Sequence, residues 1–369
     1  MNERESGLMA EALQAATQGL FRTSPNPRVG CVIAGSSGEI LGVGSTQEVG
    51  GPHAEIMALR EASARGLKVH GATAYVTLEP CSHFGRTAPC CNALINAGIR
   101  RVVASCIDPN PAVAGQGIAR LRKAGVAVEV GLGGAEAREL NLGFFSRMLR
   151  GTPWVRVKSA VSLDGRTALD AGNSQWITSL DARQDGHQWR ARACAVLTGI
   201  GTVLADDPRL DVRAVSTPRQ PALVLVDSTL QVSLTASIFM TERPVFIYTA
   251  VQTDPRITAL RSRGVEVIVL AGPDGKVDLP AMLRDLGRRE INELHVEAGA
   301  RLTGALMAAG LVDELLLYLA PKLLGSGRGI AQLPVLEHVV DAQALEFMSV
   351  ERVGPDLRLL ARPPGRALF

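Results

Sequence analysis

The sequence predicts an α/β protein of two domains, and three observations carry that prediction. Short apolar strands alternate with amphipathic helices along most of the chain. The alternation breaks at a basic, Gly/Pro-containing stretch, Arg147–Pro153, and then begins again. The 369 residues also exceed the usual domain length of roughly 150. Expected boundaries are 1–148 and 149–369.

Met1 to Leu20 carries Glu3, Glu5 and Glu11, and places Leu8, Met9, Ala12, Leu13 and Ala16 on one helical face. It therefore reads as a first helix and not as a signal peptide. Gly30–Ala34 and Ile40–Gly44 read as strands around Gly35-Ser36-Ser37-Gly38. There follow a helix from Pro52 to Gly66, a strand Ala72–Leu78, a helix Pro89–Ala97, and a strand Arg101–Cys106. A helix Gly117–Ala124 and a strand Val126–Val130 close the first half. In the second half, strands are expected at Trp154–Ala160, Ala195–Gly199, Ala222–Asp227, Val245–Thr249, Val265–Leu270, Glu293–Glu297 and Glu314–Leu319. Helices are expected at Ser179–Ala193, Leu279–Gly287 and Leu302–Ala309.

Composition narrows the function. Hydrophobic residues make up 46% and charged residues 20%, enough to fill more than one core. A net charge of +3 and 4% aromatics offer neither a broad basic footprint nor stacking platforms, which argues against nucleic acid. No apolar run reaches the ~18 residues of a membrane span. A cytoplasmic chain acting on a small polar or phosphorylated molecule is the expectation. In a reducing compartment, three of the six cysteines (Cys81, Cys90, Cys91) crowded into eleven positions favour a metal over disulfides.

The metal motif is His53-Ala54-Glu55, then Pro80-Cys81, then Cys90. One imidazole and two thiolates suit a catalytic zinc, which takes three protein ligands and leaves a position for water. Deamination also needs a carboxylate that carries protons beside the metal without binding it, and Glu55 is placed for that. Pro52 sets His53 and Glu55 at a helix start, where side chains two apart can converge. Pro89 sets Cys90 at another, where the helix dipole favours thiolate. A purely structural zinc would want a fourth ligand, for which His83 and Cys91 are the candidates. Cys91 is expected to point into the core, as are Cys31, Cys106 and Cys194. Eight residues, Ser82 to Pro89, separate the two cysteines where the general deaminase signature has two. Such a loop could reach over a substrate.

The second half announces less. Gly199-Ile200-Gly201 follows a strand, but Leu204 stands where a dinucleotide fingerprint needs Gly or Ala, so a Rossmann site is disfavoured. A better anion site is Glu297-Ala298-Gly299-Ala300-Arg301, where a strand end runs into a helix whose free N–H groups could bind phosphate.

Taken together, certain motifs resemble the bifunctional deaminase–reductase family of riboflavin biosynthesis. They are Pro25-Asn26-Pro27-x-Val29-Gly30, His53-Ala54-Glu55, and the run from Leu78 through Cys81-Ser82-His83-x-Gly85-Arg86-Thr87 to Cys90. The resemblance continues through Asp108-Pro109-Asn110-Pro111, Ser162-Leu163-Asp164-Gly165-Arg166, Ser174–Thr178, Asp206-Asp207-Pro208 and Glu297-Ala298-Gly299. It implies a cytidine-deaminase-like N-terminal α/β sandwich and a C-terminal dihydrofolate-reductase-like α/β domain. The first would deaminate a phosphoribosylamino-diaminopyrimidinone with Zn2+. The second would reduce the ribosyl chain to ribityl with NADPH.

By resemblance, Asn26, His83 and Arg86 hold the deaminase substrate. Ser174, Arg190, Leu210, Arg213 and Glu297 hold the reductase substrate, with Lys158 beside them. Ala160, Trp176, Thr202, Asp206, Ser228 and the run Gly299, Ala300, Arg301, Leu302, Thr303, Gly304 and Ala305 meet NADPH. Arg190 and Arg213 are suited to a substrate phosphate. Two positions depart from the family: Ala88 replaces a common Pro, and Thr46 stands where relatives often have a substrate-contacting His. Expected partners are the small phosphorylated pyrimidine and further copies of the chain, with no nucleic acid and no membrane. The alternative is a zinc deaminase of another nucleobase or nucleotide with a non-reductase C-terminal domain.

Overall fold

The computed structural model describes residues 3–82, 88–111 and 113–369. The chain divides into two compact units, Met1–Gly151 and Thr152–Phe369. The basic run at 147–150 is the last turn of a helix, so the expected boundary at 148 falls within that turn.

The first unit runs α1 (Glu3–Thr17), β1 (Gly30–Ala34), β2 (Ile40–Ser45), α2 (Ala54–Ala64), β3 (Thr73–Val76), α3 (Cys90–Asn96), β4 (Arg101–Ala104), α4 (Gln116–Lys123), β5 (Ala127–Val130), α5 (Gly134–Leu140) and α6 (Leu142–Arg150). Its sheet order is β2-β1-β3-β4-β5, with β1 antiparallel to both neighbours and β3, β4 and β5 parallel. Alternation along β1 gives each face its own core. Val32 and Ala34 meet Leu8, Met9 and Ala12 of α1, while Cys31 and Ile33 share a core with Ala54, Ala58 and Ala62 of α2. Small residues bring these helices close. A Cβ on Gly30 would lie 1.8 Å from the Ala12 carbonyl oxygen, and one on Gly44 would lie 2.2 Å from that of Ala54.

The second unit runs β6 (Trp154–Ser162), β7 (Ala168–Leu169), α7 (Leu180–Arg192), β8 (Ala195–Gly199), α8 (Ile200–Asp206), β9 (Ala222–Val226), β10 (Val245–Thr249), α9 (Pro255–Arg261), β11 (Glu266–Val269) and α10 (Leu279–Arg288). It continues with β12 (Glu293–Val296), α11 (Ala300–Ala308), β13 (Glu314–Ala320), β14 (Gly327–Arg328), β15 (Glu346–Val353) and β16 (Asp356–Arg362). Nine strands form one sheet, ordered β11-β10-β9-β8-β12-β6-β13-β16-β15. From β11 to β13 neighbours are parallel, and β16 runs antiparallel to β13 and β15. The central strands read as continuous apolar runs because both their faces are covered.

Six elements of more than six residues lie outside the expected set: α5, α6, α8, α9 and the two strands of the β15–β16 hairpin. The first four are seven to nine residues long, too short for helical periodicity to stand out. In the hairpin a register shift between Phe347 and Ser349 breaks the strand alternation. The last helix starts at Ala300, two residues before the expected Leu302, because Gly299 serves as its N-cap.

A buried ion network ties the starts of three strands together. Arg156 donates to Glu314 at 2.6 Å and to Glu293 at 3.0 Å, and its guanidinium stacks 4.5 Å from the Trp189 ring centroid. Arg192 adds a bond to Glu293, while Arg362 and the Trp154 indole N–H add bonds to Glu314. Both carboxylates are 1% exposed or less, so removing one cation strands charge in the core. We predict that Arg156→Ala costs about 3–5 kcal/mol of stability. Urea unfolding followed by tryptophan fluorescence measures this directly, since Trp154, Trp176 and Trp189 all belong to this unit. A loss below about 1 kcal/mol would show the network to be dispensable.

Candidate active sites

In the first unit the chain turns from extended to helical at His53, the N-cap of α2, and at Pro89, the N-cap of α3. His53 and Cys90 thereby project from two helix starts toward Cys81, which lies beyond the end of β3. The His53 Nδ1 is 3.6 Å from the Cys81 Sγ and 3.4 Å from the Cys90 Sγ. The three donor atoms all fall within 4.8 Å of one another. The Cys90 backbone N–H points at the Cys81 sulfur at 3.3 Å, as a thiolate favours. Sharing one hydrogen bond pushes the Cys81 thiol down and the Cys90 thiol up. The bond to Cys81 raises His53. One imidazole and two sulfurs converging in this way fit a zinc ion with one position left for water.

Glu55 stands in the first turn of α2 and is 3% exposed. Burial first, then the neighbouring Cys81, pushes its carboxyl up to about 6, with His53 opposing. That value suits a group that takes and returns protons near neutrality. Cys91 is fully buried, with its Sγ donating to the Pro80 carbonyl at 3.1 Å, so it faces away from the three donors. Cys31, Cys106 and Cys194 are also buried. Thr46 is buried, with its backbone N–H on the Val29 carbonyl. Asn26 is half-buried, its N–H bonded to the Thr23 carbonyl. His83 and Arg86 lie outside the described residues.

The second unit holds a cavity of about 2270 Å3 at the carboxyl ends of β6, β8, β9 and β12. Ligands of open parallel sheets bind at that edge. All the reductase positions named from sequence line it except Thr303, whose hydroxyl donates to the Ala298 carbonyl. Gly299 has no side-chain cap and leaves the first N–H groups of α11 open to the cavity. A Cβ on Gly299 would find nothing nearer than 3.9 Å, so the residue leaves room for a ligand there. A strap, residues 329–334, crosses α11. The Gln332 N–H donates to the Ala300 carbonyl, and a Cβ on Gly304 would lie 2.1 Å from the Gln332 oxygen.

Glu297 is the charged centre of this cavity. Arg190 grips it through Nε and through Nη2 at 2.9 Å, and Lys158 lies 3.8 Å away. Burial would raise the carboxyl, but Arg190 and Lys158 reverse that and hold it well below the usual range. Burial lowers Lys158, against the pull of Glu297. The Arg190 fork thus bonds Glu297, whereas the sequence alone presents Arg190 and Arg213 alike as suited to a substrate phosphate. Arg213 pairs with Asp211 at 2.8 Å and remains 55% exposed. Sequence reasoning missed His187 and Asp211. The spacing of His187 three before Arg190, on one face of α7, was the available signal.

Comparison with known proteins accounts for both sites. Residues 2–106 match the model of the cytidine and deoxycytidylate deaminase zinc-binding region, and residues 153–359 match that of the RibD C-terminal domain. The chain is 48% identical over 360 residues to riboflavin biosynthesis protein RibD of Escherichia coli K12, covering 95% of this chain and 97% of that one. It belongs to the RibD family. The solved structure of Acinetobacter baumannii RibD, 39% identical, superposes with a TM-score of 0.89 over 98% of this chain and 99% of that one. A Thermotoga maritima deaminase/reductase, 31% identical, gives 0.87 with the same coverage. As a RibD-family enzyme, the chain joins a zinc deaminase of cytidine-deaminase-like fold to a reductase of dihydrofolate-reductase-like fold, using Zn2+ and NADPH in riboflavin biosynthesis. The match to a RibD C-terminal domain sets aside the alternative of a non-reductase second half. Among the described residues, no helix is long and apolar enough to cross a membrane.

His187 gives the reductase cavity a measurable pH signature. Its Nδ1 accepts the Arg213 N–H at 3.4 Å. Burial, then Arg190 and Arg213, push the ring down to about 4, while Glu297 and Asp211 oppose them. Because the folded value lies below the unfolded one, the unfolded chain binds more protons as pH falls. The contribution is therefore complete above about pH 6.5 and lost as pH falls toward 4. We predict that His187→Asn flattens this acid loss by about 1–2 kcal/mol, discounted for solvent screening. Urea midpoints at a series of pH values compare parent and variant, and identical pH slopes would rule the assignment out.

Proposed function

We propose that His53, Cys81 and Cys90 hold the zinc and that Glu55 is the proton carrier. The substrate in this reading is a diaminopyrimidinone bearing a phosphoribosylamino group. The observation that carries this is the convergence of one imidazole and two thiols within 4.8 Å beside a buried, proton-holding carboxyl. A zinc held by these three residues would make a bound water acidic enough to act as a nucleophile near neutral pH. Glu55 would carry two protons in turn: the first from the attacking water to the ring nitrogen, and the second from the hydroxyl of the resulting adduct to the departing amine, so that the carbonyl forms as the C–N bond breaks and ammonia leaves. Asn26, His83 and Arg86 are proposed to hold the substrate.

For the second reaction we propose that the cavity of the second unit receives both NADPH and the deaminated product. NADPH supplies the hydride, and the protein orients the two and excludes water. In this reading the open N-terminus of α11 at Gly299–Leu302 meets the cofactor's phosphates, with Ala160, Trp176, Thr202, Asp206, Ser228, Gly304 and Ala305 around the rest; Thr303, whose hydroxyl bonds the Ala298 carbonyl, supports that turn from behind. Arg213 is the better arginine for the substrate phosphate. Lys158, Arg190 and Glu297 form a charged floor beside Ser174 and Leu210. The six unpaired cysteines fit a reducing compartment, and we assign the chain to the cytoplasm.

We also propose that the chain self-associates through the exposed end of the large sheet. Leu317, Leu359 and Val350 form a row across β13, β16 and β15, continued by Phe347 opposite Ala361. Phe347 is 70% exposed and Val350 56%, and in the preceding loop Val335, Val339 and Val340 are 96, 91 and 86% exposed. Leu336, Leu345 and Met348 are also exposed, adding to the apolar surface of this end of the sheet. A second copy related by a two-fold axis would meet this patch with its own. Glu346 and Arg352 bracket the strand symmetrically about Ser349, so antiparallel copies would set opposite charges together.

Two outcomes are expected. Glu55→Ala should lower deamination by about 10^2–10^4-fold while leaving reduction of supplied deaminated intermediate intact. Mass spectrometry of products with and without NADPH measures both, and loss of the two activities together would contradict separate sites. Phe347→Glu combined with Val350→Glu should halve the mass seen by light scattering. A parent that already runs at the mass of one chain would exclude the interface.

A further inference from the structure

The Asp108–Pro111 motif and Glu79 take no part in the chemistry above, yet they meet directly behind Cys81. Glu79 is 4% exposed, and its carboxylate accepts four backbone N–H groups. Oε2 takes those of Asp108 (3.1 Å) and Gly115 (2.9 Å), and Oε1 those of Gly117 (2.8 Å) and Ile118 (3.1 Å). The last two belong to the open first turn of α4, so Glu79 caps that helix from across the fold. Asp108 in turn folds its own loop, accepting the Asn110 N–H at 2.8 Å.

The same helix grips the chain on either side of Cys81. A Cβ on Gly117 would lie 2.0 Å from the Pro80 carbonyl oxygen, so α4 rests directly on that peptide. Arg120 donates to the Ser82 carbonyl at 3.2 Å. From the other side, the Cys91 N–H donates to the Cys81 carbonyl at 3.2 Å, and the Cys91 thiol donates to that of Pro80. Residues 80–82 are therefore held between the first turns of α3 and α4.

We propose that Glu79 is a positioning residue for the metal site: by gathering four N–H groups from residues 108–118, it seats α4 against the Pro80–Ser82 segment and fixes the direction of the Cys81 sulfur. The inference rests on the reading of Cys81 as a metal ligand. Its chemical content is the number of acceptors. A carboxylate offers about four lone-pair sites. The isosteric amide of Gln offers an oxygen on one side only and turns its own donors toward two N–H groups on the other.

The test compares three variants of the full chain: Glu79→Gln, Gly117→Ala, which pushes on the same carbonyl from the helix side, and Asn141→Ala. Asn141 is a buried polar tie as well, bonded to the Arg28 N–H and carbonyl, but it does not touch residues 79–82. Chelator-driven zinc release and the visible spectrum of the cobalt-substituted protein are read alongside thermal stability. Supporting partners of metal ligands are typically worth 10–100-fold in metal affinity. Glu79→Gln and Gly117→Ala should each release zinc about 10-fold faster or more and shift the thiolate–cobalt bands. Asn141→Ala should lose stability yet keep the parent spectrum and a release rate within about two-fold. Should Glu79→Gln fail to fold, Gly117→Ala carries the comparison. A Glu79→Gln protein with the parent's spectrum and release rate overturns the proposal, as does an Asn141→Ala protein that loses metal equally fast. A parent chain that takes up no cobalt overturns the metal reading itself, and this inference falls with it.

Discussion

Withdrawing a carboxylate from water costs free energy, and what each buried carboxylate meets in exchange organises both units of this enzyme. Glu55 meets two sulfurs and an imidazole, and burial wins: its carboxyl rises to about 6 and can hold a proton. Glu297 meets Arg190 and Lys158, which overcome the same burial and keep it ionised. Glu293 and Glu314 meet three guanidinium groups and an indole N–H, at the opposite end of the sheet from the cavity. Glu79 meets four backbone N–H groups and, among the described residues, no cation within hydrogen-bond reach. One residue type thus serves as the proposed proton carrier, charged floor, core tie and helix cap, and the partners decide which.

The deaminase site was legible in the sequence because its chemistry admits few residue types and gathers them at local spacings. Zinc wants imidazole and thiolate, and Pro52 and Pro89 mark two helix starts; α3 is capped at Pro89 as expected, while α2 starts two residues later than expected, at Ala54 with His53 as its N-cap. The reductase site was not legible in that way. Holding a cofactor ring against a substrate needs shape and water exclusion, supplied by backbone, glycine and apolar surface from strands far apart in sequence. Resemblance named most of those positions; the residues themselves suggested only the anion turn at Glu297–Arg301. Resemblance could not tell that Arg190 is already engaged by Glu297, because that pair is 107 residues apart in sequence.

The fold shows the same division. The central strands of the large sheet were readable as unbroken apolar runs. The β15–β16 hairpin was not, since a bulge shifts its register and its outer face carries Phe347 and Val350 where a monomer would carry polar residues. A hairpin with exposed apolar residues departs from the inward-apolar, outward-polar rule that sequence reading uses.

Glycine placement links packing to chemistry in the first unit. The closest helix–sheet approach near the metal donors is at Gly44, directly under the Ala54 carbonyl, between His53 and Glu55 in sequence. Seating α2 this deeply puts the Glu55 side chain into the protein interior, where burial raises its carboxyl. A longer side chain at position 44 would lift the start of α2 and move the metal donor and the proton carrier together. The missing Cβ at this strand position lets the start of α2 lie close against β2. His53 and Glu55 flank that contact in sequence, so the packing of this turn bears on both residues of the motif.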